Sequence, residues 1–273
     1  MSLQGKVVVI TGSTRGIGRA IAEEAARQGG RVVVSSRSPE AVETALASIR
    51  ATVPSAELSG FAANVAHWEE VEALKAHALS AFGRIDVWFN NAGVSNGYRY
   101  LDDESNKELH DLITINVLGH IYGAKAMIPY FREHGGYLMN MCGRGWKGGA
   151  TPYTTAYAAS KAAIASLTRS LAAENKDAAN VSINAFTPGM VATDFYSDVE
   201  CSPRLEPTRG NIDLALDAFG TPIDEVARRA VALIAERPGA VSGKVYAMLK
   251  PGQLVGGGAK MAWWGMTGKM KRG

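Results

Sequence analysis

Tyr157 and Lys161 stand four residues apart in the stretch Tyr153-Thr154-Thr155-Ala156-Tyr157-Ala158-Ala159-Ser160-Lys161. On a helix that spacing stacks both side chains on one face, a turn apart. A phenol is a poor acid at neutral pH, its reference pKa being about 10. An ammonium nearby favours the phenolate and lowers that value. The pair can therefore act as general acid or base near neutrality. Standing alone it is equally well explained as a solvated helix face, so its meaning rests on what the chain places beside it.

The first such stretch is near the N-terminus. Residues 7–10, Val-Val-Val-Ile, read as a buried parallel strand. Thr11-Gly12-Ser13-Thr14-Arg15-Gly16-Ile17-Gly18 follows at once, and residues 19–28 are strong helix formers. Strand, glycine-rich turn and helix in that order make a phosphate-binding unit. The glycines admit backbone N–H groups to a pyrophosphate at the positive end of the helix. Gly12, Ser13, Thr14, Arg15, Gly16, Ile17 and Gly18 are thus candidate contacts to a dinucleotide.

A second strand over 31–35 ends in Ser35-Ser36-Arg37. Such strands usually end in an acid that binds the adenosine ribose. Here there is none. Ser36 tolerates a 2′-phosphate, and Arg37 and Arg15 can pair with it, which favours NADP(H) over NAD(H).

The remaining elements alternate in the same way. Ser38-Pro39 caps a helix whose buried stripe is Val42, Leu46 and Ile49. Strands are expected over 57–65, 85–89, 137–141, 181–186 and 241–249. Helices are expected between them, one marked by Trp68, Val71, Leu74 and Phe82, a long one over 106–131, one bearing Tyr157, and one over 224–236. Asn64-Val65 and Asn90-Asn91-Ala92-Gly93 end the third and fourth strands, and Asn and Gly there suit a backbone turning close beneath a ligand. Asn116 is a poor residue for the interior of the long helix, so it marks either a buried side-chain hydrogen bond or a polar site. Residues 194–222 have weak periodicity and read as a lid or substrate-binding segment.

Composition narrows the class. With 273 residues, 47% hydrophobic and 20% charged, the chain suits one large α/β domain over 1–255 and a tail over 256–273. The net charge is +3, and the tail alone carries Lys260, Lys269, Lys271 and Arg272 with no acid, so the body is close to neutral. That argues against a nucleic-acid partner. Cys142 and Cys201 are too few for a disulfide framework, and the five histidines lack ligand spacing, so no metal is expected. No apolar run has the length of a transmembrane span, and the first strand leaves no room for a signal peptide; the cytoplasm is the expected compartment. In the tail, Gly256-Gly257-Gly258 reads as a flexible lead. The Trp and Met residues beyond it read as a disordered tail, or as an apolar arm over the site or across an interface.

Thr11-Gly12-x-x-x-Gly16-Ile17-Gly18, Asn90-Asn91-Ala92-Gly93, Asn116, Tyr157-x-x-x-Lys161 and Pro188-Gly189 together resemble the short-chain dehydrogenase/reductase family, over residues 5 to 252. The resemblance implies a Rossmann-type α/β fold, a seven-stranded, doubly wound parallel sheet ordered 3-2-1-4-5-6-7. It implies hydride transfer between nicotinamide and a small-molecule carbonyl or alcohol, in a homodimer or homotetramer. It further implies that Tyr157 is the proton donor and Lys161 lowers its pKa and holds the nicotinamide ribose. Asn116 would hold a water leading from Lys161 to solvent. Asn90, Asn91, Ala92 and Gly93 would line the adenosine side, Asn64 and Val65 the adenine. Pro188, Gly189, Val191 and Thr193 would meet the nicotinamide, and Ser160 would carry no role.

Two departures stand out. The family usually has Asp at Asn64, though Asn keeps a carbonyl acceptor. The family's catalytic serine falls on Gly143 in Asn140-Met141-Cys142-Gly143, or on Arg144 counted back from Tyr157, and no serine lies between Tyr137 and Tyr157. A backbone N–H in the 143–145 turn is the expected substitute donor. Cys142, a poor donor, Tyr153 and Thr155 are further candidates. The loops 91–99 and 140–152 resemble the chlorophyll b reductase branch, which implies a bulky apolar aldehyde or ketone, such as a chlorophyll-type formyl group. The missing serine also admits a different function, a non-catalytic NADP(H) or ligand sensor.

Overall fold

The computed structural model describes residues 2–193, 200–249 and 251–270; residues 194–199 of the expected lid, and Lys271 and Arg272 of the tail, lie outside them. Seven short runs form strands: β1 (Val7–Thr11), β2 (Arg31–Ser36), β3 (Leu58–Ala62), β4 (Val87–Asn90), β5 (Gly136–Met141), β6 (Val181–Thr187) and β7 (Val245–Ala247). All pair in parallel, in the order β3-β2-β1-β4-β5-β6-β7. The expected fold is therefore present.

The inner strands are buried on both faces, which is why runs such as β1 and β2 read as continuous apolar stretches, while the edge strands β3 and β7 are half-buried. In register, Val8 sits beside Val32 and Val87, and Ile10 beside Val34 and Phe89. Those residues face α1 (Gly16–Arg27), α2 (Pro39–Thr52) and a later helix, Ile223–Ile234. Val9, Val33, Trp88 and Leu138 face the opposite side, against α3 (Trp68–Phe82) and α5 (Gly119–His134). Between α3 and α5 lies α4 (Asn106–Ile113), opened by a reciprocal Ser105–Glu108 cap. The remaining helices are α6 (Thr155–Glu174), α7 (Gly210–Phe219), α8 (Ile223–Ile234) and α9 (Pro251–Met266). The chain reverses its winding between β1 and β4, and the crevice for a ligand opens there at the strands' carboxyl ends.

Three expectations need correction. The edge strands are shorter than 57–65 and 241–249, because each has one neighbour and its ladder ends with that neighbour's. The long helix over 106–131 is broken by a π-helical turn, Thr114–Leu118, with Asn116 at its centre. The tail is no flexible lead: α9 runs straight through Gly256, Gly257 and Gly258, so the domain boundary at 255 falls inside a helix. Glycine costs about 1 kcal/mol relative to alanine in a helix, but Gly257 lies against Phe219 of α7, where a Cβ would come within 2.1 Å of the ring. Trp264 is buried, and Lys260 pairs with Asp217 at 3.1 Å. Val255, Trp263 and Met266 remain exposed on the outer face.

Overpacking the Gly257–Phe219 contact should free α9. Gly257→Leu is expected to cost about 1–3 kcal/mol locally, so that trypsin cuts after Lys260 about tenfold faster while the main thermal transition scarcely moves. Equal cutting rates would show that this contact does not hold the helix.

Candidate active site

The cleft at the switch point has a volume of about 830 Å³. Its floor is built by Asn91, whose side-chain amide donates to Thr11 O at 2.9 Å and Gly12 O at 3.0 Å. Thr11 Oγ1 accepts in turn from Asn91 N and Ala92 N at 3.0 and 3.1 Å. The two turns are thus laced together. The approach is so close that a Cβ at Gly12 would lie 2.8 Å from Ala92 Cα, and one at Gly18 would lie 2.3 Å from Asn91 Nδ2. Gly12 and Gly16 also have φ of 63° and 55°, where side chains are disfavoured.

At this end the residues fit a dinucleotide phosphate. Gly16 opens to the cleft, its Cβ direction meeting nothing nearer than Thr193 Cγ2 at 3.9 Å. The N-terminus of α1 has no side-chain cap and no acid in its first turn, so its N–H groups and dipole face the cleft. Thr14, Arg15, Ile17, Ser36, Arg37, Asn64, Val65, Ala92, Gly93, Pro188, Gly189, Val191 and Thr193 also line the cleft, as the sequence suggested. Arg37 is exposed and makes no ion pair among the described residues. Asn64 Oδ1 accepts from Ala66 N at 3.1 Å, forming a tight local turn.

Two expected contacts turn away. Ser13 is fully buried; its hydroxyl donates to Ile10 O at 2.6 Å and accepts from Ser35 N, tying β1 to β2. Asn90 is buried too, accepting from Trp88 Nε1 and donating to Asn140 Oδ1 at 2.9 Å and to the carbonyl of His120. Both are structural struts: the turn after β1 folds Ser13 back onto β1 and β2, and Asn90 follows the inward parity of β4.

At the other end α6 presents Tyr157 and Lys161. Lys161 is 3% exposed, its Nζ donates to Met141 O at 3.3 Å, and it lies 5.3 Å from the Tyr157 ring centre. Burial pushes the Lys161 pKa down to about 8. Asn116 Oδ1 accepts from Val94 N at 2.8 Å, and its Nδ2 donates to Val94 O and to Ser160 Oγ. Ser160 donates onward to Tyr157 O at 2.6 Å. Asn116 therefore pins the loop after β4 to the catalytic helix, and Ser160, which the motif left idle, is the link. Gly93 lets them converge: a Cβ there would lie 3.2 Å from Asn116 Oδ1 and 3.4 Å from Lys161 Nζ.

The serine position is filled differently. A Cβ at Gly143 would lie 2.6 Å from Tyr157 Oη, so the phenol occupies the space of the absent side chain. Residues 143–146 form a turn closed by Trp146 N donating to Gly143 O at 3.2 Å. Gly145 has φ of 93° and Arg144 no positive φ, which makes it a type II turn. Gly145 is pressed onto α6, where a Cβ would meet Ala158 Cβ at 2.5 Å. The N–H groups of Arg144 and Gly145 have no backbone partner among the described residues.

Cys142 is not a donor to this site. Its side chain sits in a small core with Ile164, Ala165 and Ala185, its Sγ lies 3.9 Å from Lys161 O, and burial pushes its pKa up to about 11.

Sequence reading named Tyr153, Arg144 and the segment 194–222 near this end but not the polar wall they belong to. Ser95, Asn96, Glu108, Arg144 and Glu200 line it, and Arg99 pairs with both Glu108 and Glu200. Tyr98, Tyr153 and Tyr100 stack edge-on beside it, with Tyr153 at φ of 65°. These walls are more polar than a wholly apolar substrate requires. No local pattern joins them, since they come from the loops after β4, β5 and β6 and from α4.

Residues 6–202 match the model of a family described as short chain dehydrogenase. Chlorophyll(ide) b reductase NOL of Oryza sativa subsp. japonica is 39% identical over 193 residues, 68% of this chain and 56% of that protein. Tetrahydroxynaphthalene reductase of Pyricularia oryzae is 31% identical, covering 89% of this chain and 88% of that one. The chain spans about half the length of the chlorophyll(ide) b reductases it matches, 56% of one and 41% of another. A 3-ketoacyl-(acyl-carrier-protein) reductase from Brucella melitensis, solved with NADH, superposes with a TM-score of 0.79 at 24% identity, over 90% of this chain and 98% of that one. That last likeness is one of fold.

The buried position of Cys142 has a direct consequence. Cys142→Ala should cost about 1–2 kcal/mol in stability and change turnover less than about threefold, and iodoacetamide should modify Cys201 well before Cys142. Rapid alkylation of Cys142 in the folded protein would show its thiol facing the cleft instead.

Proposed function

Because this chain belongs to the short-chain dehydrogenase family, we propose that it is an NADP(H)-dependent reductase of an aldehyde or ketone. The observation that carries this reading is the joining, in one cleft, of the uncapped α1 N-terminus with the buried Lys161 beneath Tyr157. Gly16, Ile17 and Gly18 would hold the pyrophosphate, Arg37, Arg15 and Ser36 the 2′-phosphate, and Lys161 the nicotinamide ribose. When bound, the reduced nicotinamide supplies the hydride to the carbonyl carbon.

The chain's own residues manage the proton and the charge. Tyr157 donates its phenolic proton to the carbonyl oxygen. The Lys161 ammonium, charged below about 8, favours the resulting phenolate. Asn116 holds the loop after β4 in register with α6, and a water against its main chain would return a proton to Lys161. The second donor to the oxygen is a backbone N–H of the 143–146 turn, the role a serine hydroxyl usually has. The likeness to chlorophyll(ide) b reductases supports a ring-borne formyl group as the first substrate class to test. The polar rim of Asn96, Glu108, Arg144 and Glu200 favours a ring that carries polar substituents.

Gly143 also favours a second reading, a sensor that binds NADPH without turnover. NADPH oxidation against a panel of aldehydes and ketones separates the two. Turnover abolished in Tyr157→Phe supports the reductase; tight NADPH binding with no turnover on any carbonyl supports the sensor.

Cofactor choice is tested at Arg37. Charge-assisted hydrogen bonds contribute about 1.5–3 kcal/mol, so Arg37→Ala should weaken NADPH about tenfold or more and leave NADH unchanged. Equal wild-type affinity for both would overturn the NADP(H) assignment.

The donor turn is tested at Arg144. Proline suits the second position of a type II turn, so Arg144→Pro removes that N–H with the turn intact. If that N–H is the donor, kcat should fall about 10²–10³-fold, while Arg144→Ala stays within about threefold. Equal loss in both would assign the role to the guanidinium, and no loss in either would remove the Arg144 N–H from the mechanism. Gly143→Ser should also slow turnover about tenfold, because its Cβ intrudes on the phenol.

A further inference from the structure

One buried titratable side chain has no part in the reaction as described. His120 sits on the first turn of α5, is 1% exposed, and its Nε2 has no hydrogen-bond partner among the described residues. A buried, unpaired ring nitrogen is costly and calls for a partner. The carbonyls of Met141, Asn116 and Asn90 face the ring, and Lys161 is the charge acting on it. The same Met141 carbonyl accepts from Lys161 Nζ at 3.3 Å. Asn90 Nδ2 donates to His120 O at 3.2 Å, which fixes α5 against the end of β4.

We propose that His120 is a positioning residue for Lys161, its Nε2 accepting from the ammonium across one buried water. This rests on the reading of Lys161 as the partner of Tyr157. The partners assign the tautomer. A neutral imidazole has one N–H and one lone pair. The surrounding carbonyls can only accept, so they take the N–H through Nδ1. The ammonium can only donate, so the bridging water accepts from it and donates to the lone pair on Nε2. The ring stays neutral, because burial and the lysine charge hold its pKa down at about 3.

The consequence falls on Lys161. An acceptor on the ammonium favours its charged form and opposes the burial that lowers its pKa. Besides His120, the titratable groups beside that ammonium are Cys142 at the end of β5 and Tyr157 one turn away on α6. Without His120 the lysine should lose its proton at lower pH and drift from beneath the phenol.

The test uses the full chain, with His120→Leu to delete the acceptor and His120→Gln to keep one near the same place. Lysine 13C NMR should show the Lys161 pKa falling by about one unit in His120→Leu and returning toward wild type in His120→Gln. The kcat of His120→Leu at neutral pH should fall about tenfold, with KM for NADPH held within about twofold, and His120→Gln should recover most of it. An unchanged Lys161 pKa in His120→Leu would overturn the proposal, as would equal losses in both variants. Imidazole 15N shifts of the wild type need no substitution: an unprotonated Nε2 supports the pairing, and a proton on Nε2 overturns it. The NMR readouts stand even if no carbonyl substrate is turned over, so failure of this contact and failure of the reductase reading are distinguishable.

Discussion

The amide of Asn91 is the contact on which the site depends. It joins the turn after β4 to the turn after β1, donating to Thr11 O and Gly12 O. Each such bond contributes about 1 kcal/mol net, so the pair is modest in energy. Its importance is geometric. β1 and β4 flank the point where the chain reverses its winding, and nothing in the sheet ladder fixes how their loops meet beyond the strand ends. With the amide in place, Gly12 and Gly18 are pressed to distances no side chain tolerates, and the N-terminus of α1 is aimed into the crevice.

The catalytic end follows a similar logic with a different element. Gly143 and Gly145 let the loop after β5 lie flat on α6, one against Tyr157 Oη and the other against Ala158. The phenol fills the space a side chain would take, and backbone N–H groups come to the surface that a serine would cover. Tyr153, with its positive φ, carries the strain of turning this loop back into the helix, and the edge-on contacts with Tyr98 and Tyr100 hold it there.

Behind both ends lies a chain of buried amides. Trp88 donates to Asn90, Asn90 to Asn140, Asn140 to Thr168, and Thr168 to Ile164 O in α6. It crosses β4, β5 and α6 just below the cleft. Because each link is buried, losing one partner would leave an unsatisfied group costing about 1–3 kcal/mol. The network therefore gives the strand ends one arrangement, and Lys161 inherits its position from it.

Much of this was legible in the sequence. Strand, turn and helix order, the glycines of the phosphate turn, Asn91 and the Tyr157–Lys161 face all depend on spacing within one short stretch, where backbone sterics and helical period act. Contacts between distant stretches were not legible. Ser13 and Asn90 looked like ligand contacts until the turn after β1 and the pairing of β4 put them inward. Ser160 and His120 gained their roles only when α5, α6 and the end of β5 met. The edge strands were trimmed by their neighbours, and α9 runs through three glycines, of which Gly257 lies bare against Phe219 of a separate helix. Local propensity fixes which elements form and which groups can do chemistry; burial and parity, set by packing, decide which of those groups face the cleft.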